Sequence, residues 1–159
     1  EAKFKGMFVT AVFGKFNTET GEVNFVNAGH ESIMVFDTNK NFEFIKSEMP
    51  PIGIIKYFTE TMVKSKTINL KEKTFVVYTD GVTEGYLKNG QELGAEGVQK
   101  IVTNLDTVTP KNLVDSIAKE LDWGAEKLRD DITCLAINIK NTELIKPERK
   151  KKVEGEKKA

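Results

Sequence analysis

With 159 residues, 39% hydrophobic and 30% charged, the chain has the size and balance of one soluble globular domain. No run approaches the roughly 18 to 20 apolar residues of a membrane span, and Glu1 to Gly6 lack the charge, apolar stretch and cleavage site of a signal peptide, so a cytoplasmic chain without membrane contact is expected. The net charge of zero hides an asymmetry: Lys146 to Ala159 carries seven Lys or Arg against three Glu, which reads as a solvated, flexible tail over residues 143–159 behind a domain over 1–142.

From Gly6 to Phe16 the sequence GMFVTAVFGKF is apolar on both alternating faces and predicts a strand covered on both sides. Asn17 to Gly21 supplies turn residues, so a hairpin with Glu22 to Ala28 follows. Ser32 to Phe36 gives a third strand, and Phe42 and Phe44 mark a fourth. Pro50, Pro51 and Gly53 form a loop, after which Tyr57 to Thr67 carries a weaker strand pattern. Thr74 to Thr79, TFVVYT, is a β-branched and aromatic strand that stops at Asp80 and Gly81. Val98, Ile101, Val102 and Leu105 then repeat at helical spacing. A second helix opens with Thr109 as N-cap and Pro110 at its first position, burying Leu113, Ile117 and Leu121. A closing strand spans Ile132 to Ile139, with Leu135, Ile137 and Ile139 on one face and Cys134 as a core thiol. This order predicts an α+β domain with mostly antiparallel sheet. A dinucleotide or nucleotide fold is disfavoured, because neither GxGxxG nor GxxxxGK occurs.

Chemistry concentrates in two places. In YTDGVTEG, residues 78–85, a buried strand delivers Asp80 at its end beside Gly81, where backbone or ligand can approach closely. In LRDDIT, residues 128–133, Asp130 and Asp131 stand where the closing strand starts. If that strand pairs antiparallel with Thr74 to Thr79, Asp80 meets this pair. Side chains alternate along a strand, so one of the two aspartates joins Asp80 and the other faces elsewhere, and spacing leaves the choice open. Hard oxygen ligands favour magnesium or manganese over zinc. The sole histidine, His30 in NAGHES, is a candidate acid or base, with a hydrogen-bonded loop role the simpler expectation. Basic residues lack the aromatic interleaving of a nucleic-acid platform.

Taken together, MFVTAVFG (7–14), TGEVNFVNAGH (20–30), PPIGI (50–54), YTDGVTEG (78–85) and RDDITCLAI (129–137) resemble, in order and spacing, the sporulation-protein-E-like branch of metal-dependent protein phosphatases. The resemblance implies an α-β-β-α sandwich and two manganese or magnesium ions that activate water against phosphoserine or phosphothreonine. It implies Asp80 and Asp130 as metal ligands, Asp131 as a residue shaping the site, Gly81 as keeping the cleft open, and Thr83 and Glu84 as rim residues. It implies as substrate a phosphorylated bacterial regulator, an anti-sigma-factor antagonist in a partner-switching circuit, and an upstream sensory or receiver module in the parent chain. The family's upstream segment, with its GDVxGxG-like motif, has no counterpart in this sequence. The chain is therefore expected to be the C-terminal part of a catalytic domain with apolar surface exposed. The alternative is a non-catalytic binding or regulatory module with an incomplete metal site.

Overall fold

The structure is a computed structural model and describes residues 6–123 and 130–139. Two antiparallel sheets pack face to face. The first, in the order β1-β2-β5, holds β1 (Ala11–Asn17), β2 (Glu22–Ala28) and β5 (Ser65–Asn69). The second, in the order β4-β3-β6-β7, holds β4 (Phe42–Ile45), β3 (Ile33–Asp37), β6 (Lys73–Tyr78) and β7 (Cys134–Asn138). Two helices, α2 (Gly94–Asn104) and α3 (Pro110–Glu120), cover the outer face of the second sheet; a single turn, α1 (Asp80–Thr83), follows β6. The mixed α+β class with antiparallel sheets is thus as the sequence implied, and the described residues form a β-β-α stack.

Alternation along the strands explains the layering. On β3, Ile33 and Val35 face the first sheet, where they join Val23, Phe25, Ile45, Leu70 and Phe75. Met34 and Phe36 point the other way and meet Val98, Val102, Leu113 and Ile117 from the helices. Phe75 sits edge-on to both Phe16 and Phe25, with ring centroids 6.2 Å and 5.3 Å away, and so ties the sheets together. Helix α3 starts where the sequence places it: the Thr109 side chain accepts from the Asn112 N–H at 3.1 Å, and Pro110 occupies the first turn.

Three strand expectations change. The strand expected from Gly6 begins at Ala11, and residues 6–10 join the fold through a bridge in which Val9 and Ile52 exchange hydrogen bonds of 2.9 Å and 2.8 Å. Nor is β1 covered on both sides: it is an edge strand, and Phe13 on its outer face is 59% exposed. The strand expected over Tyr57 to Thr67 begins at Ser65, because only from there does the chain run alongside Val26 to Glu22 of β2; Glu60–Met62 forms a 3-10 turn instead. In the closing strand, Ile139 packs between the sheets while Leu135 is exposed near the edge. Among the described residues no helix is long and apolar enough to cross a membrane. The tail expected over 143–159 and Leu128 and Arg129 of the LRDDIT segment lie outside the described residues.

Removing the Phe75 ring should open a cavity between the sheets. Phe75→Ala is expected to cost about 3–5 kcal/mol in urea unfolding, whereas Phe44→Ala, at a side chain 38% exposed, should cost well under half of that.

Candidate active site

The antiparallel β6–β7 ladder runs from Thr74 opposite Asn138 to Tyr78 opposite Cys134. One residue further, the Thr79 N–H donates to the Thr133 carbonyl at 3.0 Å. The Thr79 hydroxyl then extends the ladder. It accepts from the Thr133 N–H at 2.9 Å and donates to the Asp131 carbonyl at 3.0 Å. A side-chain oxygen stands in for a backbone group, and the segment Asp131 to Thr133 is held against the end of β6.

Gly81 completes the contact. A Cβ on this residue would come within 2.5 Å of the Asp131 carbonyl oxygen and 3.3 Å of Ile132 Cγ1. The missing side chain makes room for the backbone of the DDIT segment. The TDG and DDIT motifs meet here, as antiparallel pairing implied.

Asp80 and Asp130 each use one oxygen locally. Asp80 Oδ1 accepts from the Gly81 N–H at 3.0 Å, and Asp130 Oδ1 accepts from the Asp131 N–H at 2.7 Å. Asp80, Asp130 and Asp131 are all exposed, and among the described residues none forms an ion pair. Asp131 is fixed through its carbonyl, whereas Thr83 turns its hydroxyl back to the Asp80 carbonyl at 3.1 Å. The Glu84 N–H donates to that same carbonyl at 2.7 Å, so Thr83 and Glu84 close the turn that presents Asp80. Oxygen donors of this kind suit a hard divalent cation. No group of three or more His, Cys, Asp or Glu side chains able to hold a metal occurs among the described residues.

Loops from the first sheet reach the same end of the sandwich. Ala28 closes β2 opposite Ala11, and Gly29, at φ +66°, has Pro51 packed where a Cβ would stand. The Ser47 hydroxyl bridges this loop, accepting from the Gly29 N–H and donating to the Asn27 carbonyl, both at 2.8 Å. The NAGH and PPIG motifs are therefore one packed unit. Thr79 and Ser47 carried no functional reading from sequence; a hydroxyl beside the aspartate of TDG was the available signal for Thr79.

The family described as Stage II sporulation protein E (SpoIIE) matches residues 1–140. The chain belongs to this family. Protein IcfG from Synechocystis sp. is 30% identical over 135 residues, covering 82% of this chain and 20% of that protein. The phosphatase domain of SpoIIE from Bacillus subtilis, presoaked with Mn, superposes with a TM-score of 0.61 at 19% identity, over 84% of this chain and 57% of that one. The SiaA-PP2C domain of Pseudomonas aeruginosa gives 0.62 at 17% identity, over 87% and 55%. The fold is that of these phosphatase domains, and the chain spans a fifth of the curated relative and little more than half of the solved domains.

Two predictions follow from the β6–β7 end. Gly81→Ala should push the Asp131 carbonyl away and cost about 1–3 kcal/mol, read as a lower urea midpoint with broadened Asp131 and Thr133 amide resonances. Burial pushes the Tyr78 hydroxyl from its ordinary 10.0 up to about 12, with Glu31 and Cys134 adding to the effect, and raises the Cys134 thiol from 9.0 to about 11. Both groups ionise more readily in the unfolded chain. The stability this gives is full below about pH 9 and is lost as pH rises towards 12. Urea midpoints should fall between pH 9 and pH 12, and less steeply in a Tyr78→Phe, Cys134→Ala double variant.

Proposed function

We propose that this chain is the C-terminal part of the catalytic domain of a metal-dependent protein serine/threonine phosphatase. The observation that carries the reading is the junction of Asp80 with the Asp130–Asp131 segment through Thr79 and Gly81. Family membership and the likeness to phosphatase domains support it. Asp80 and Asp130 would hold manganese or magnesium, consistent with the Mn presoak of the SpoIIE relative. When bound, such ions supply a nucleophilic water at neutral pH and neutralise phosphate charge. The chain's own contribution is to fix the two carboxylates on the ends of paired strands, with the Asp131 carbonyl held by the Thr79 hydroxyl.

Residues 1–142 form the partial domain in this reading, and the rest of the ligand set comes from polypeptide outside these 159 residues. The exposed apolar side chains on one side of the molecule support that division. Met7, Phe8, Val9 and Phe13 are 58–65% exposed beside the open edge of β1, and Ile52 and Ile54 lie next to them. Such a patch on a small domain marks a surface that another segment covers. The substrate we propose is a phosphoserine or phosphothreonine on a bacterial regulatory protein, an anti-sigma-factor antagonist in a cytoplasmic partner-switching circuit, with a sensory or receiver domain upstream. A non-catalytic regulatory module is the second reading, favoured by the absence of a three-residue ligand group among the described residues.

In the full-length protein, Asp80→Asn is expected to abolish manganese-dependent hydrolysis of phosphoprotein while leaving circular dichroism and the urea midpoint unchanged. Calorimetry should show manganese binding that is tight in the full-length protein and weak in this chain alone. Retained activity in Asp80→Asn would contradict the ligand assignment, and no hydrolysis by the unmutated protein would favour the regulatory module.

A further inference from the structure

The segment between β4 and β5 projects a lobe from the end of the sandwich that carries Asp80 and Asp130, and the strand registers place it there. Val26 pairs with Ser65, so β5 starts where β2 finishes. On the outward path Met49 bridges Ala28, and Pro51 packs on Gly29. Strand β3 starts at this same end, and its Met34 pairs with Val76, so here too β6 runs on to Asp80. His30 closes the base of the lobe as a hydrogen-bonded loop residue. Its N–H donates to Asn27 Oδ1 at 2.9 Å, and its Nδ1 lies 3.0 Å from Thr10 Oγ1.

Beyond Ile54 the lobe has its own local order. The Met62 N–H donates to the Thr59 carbonyl and the Val63 N–H to the Glu60 carbonyl, both at 3.0 Å, and the Thr59 and Thr61 hydroxyls are 2.9 Å apart. Its apolar side chains nevertheless face solvent: Tyr57 is 76% exposed and Phe58 49%, with Ile55, Met62 and Val63 exposed beside them. Lys56 Nζ stands 5.5 Å from the Tyr57 ring centroid, so a charge and an aromatic face are presented together. From Lys46 to Lys66 four lysines stand against two glutamates, although residues 1–145 as a whole are net negative. Glu48 is taken up by Lys66 at 2.6 Å, and among the described residues Lys46, Lys56 and Lys64 form no ion pair.

Exposed aromatic residues and methionine rimmed by charge have the composition of a protein interface, in which the apolar anchors fill recesses of the partner and the rim charges steer its approach. Building on the phosphatase reading above, we infer that residues 55–64 are the docking surface for the body of the phosphoprotein substrate. Tyr57 and Phe58 are the anchors that enter an apolar recess, and Lys56 and Lys64 face carboxylates around the phosphorylated residue. Charge favours this occupant, because the phosphate dianion and neighbouring acids complement a lysine-rich lobe on an otherwise acidic body. Position favours it too, since a protein held on the lobe is presented at the end that carries Asp80 and Asp130. An anionic membrane would also match the lysines, but seating the lobe on lipid would turn that end towards the bilayer and leave a protein substrate no approach. Permanent cover by the chain's own polypeptide would bury the Lys56 ammonium between Ile55 and Tyr57. The lobe takes no part in bond making; it supplies binding energy remote from phosphorus.

The test compares two substrates in the full-length protein with manganese: the phosphorylated anti-sigma-factor antagonist, and p-nitrophenyl phosphate, which is too small to touch the lobe. A Tyr57→Ala, Phe58→Ala double variant is expected to raise KM for the phosphoprotein about 10-fold or more, with kcat, p-nitrophenyl phosphate turnover and the urea midpoint nearly unchanged. A Lys56→Glu, Lys64→Glu variant should lower kcat/KM for the phosphoprotein by a similar factor and flatten its dependence on salt. Unchanged KM for the phosphoprotein, equal losses on both substrates, or a clearly lowered urea midpoint would each overturn the docking role, the last by showing the lobe packed against the protein's own chain. Binding of the unmutated protein to phosphatidylserine vesicles that the Tyr57 and Phe58 variant loses, at unchanged KM, would assign the lobe to a membrane and overturn it as well. Hydrolysis of p-nitrophenyl phosphate but not of the phosphoprotein would overturn the proposed substrate and the docking role together, with the phosphatase reading left standing. Hydrolysis of neither by the unmutated protein would overturn that reading and this inference with it.

Discussion

The clamp between Thr79, Gly81 and the Asp131 carbonyl is the contact on which the candidate site depends. A β-ladder aligns neighbouring strands but loses its hold where the strands end, and functional carboxylates must project from those ends. Here the ladder is prolonged by one hydroxyl that both accepts and donates, at 2.9 Å and 3.0 Å. Each such bond adds only about 0.5–1.5 kcal/mol net. Their value is geometric: they leave the DDIT backbone little freedom relative to Asp80, and the glycine lets it approach to contact distance.

The same economy holds on the side of the first sheet. Ser47, Asn27 and Pro51 join two loops into one packed block at His30, with hydrogen bonds of 2.8–2.9 Å to backbone groups. Rigid loops on both sheets thus face one end of the sandwich. The opposite character of the β1 edge, open and flanked by exposed Met7, Phe8 and Val9, shows which side of the molecule carries no protein cover in the described residues.

Much of this was legible from residue pattern. Alternation in β2 and β3, the Thr109–Pro110 helix start and the antiparallel approach of Asp80 to Asp130 and Asp131 are local consequences of periodicity and capping, and pairwise strand logic is short-range. What pattern could not give was which apolar residues are covered. Phe13 and Val9 read as doubly buried because both faces of their segment are apolar, yet burial depends on what packs against a strand, not on the strand itself. Likewise Tyr57 to Lys64 has strand-like composition and no strand to pair with. The partners of Thr79 and His30, 52 and 20 residues away, are tertiary facts that spacing does not encode.

The central claim is that the clamped end of β6 and β7 is where a divalent cation binds. Titrating manganese into the isotope-labelled full-length protein and following paramagnetic broadening of amide signals tests this directly. The account predicts broadening centred on Thr79 to Gly81 and Asp130 to Ile132, spreading next to His30. Broadening centred on other carboxylates, such as Asp37 and Glu72 at the far end of the second sheet, or none at all, would contradict it.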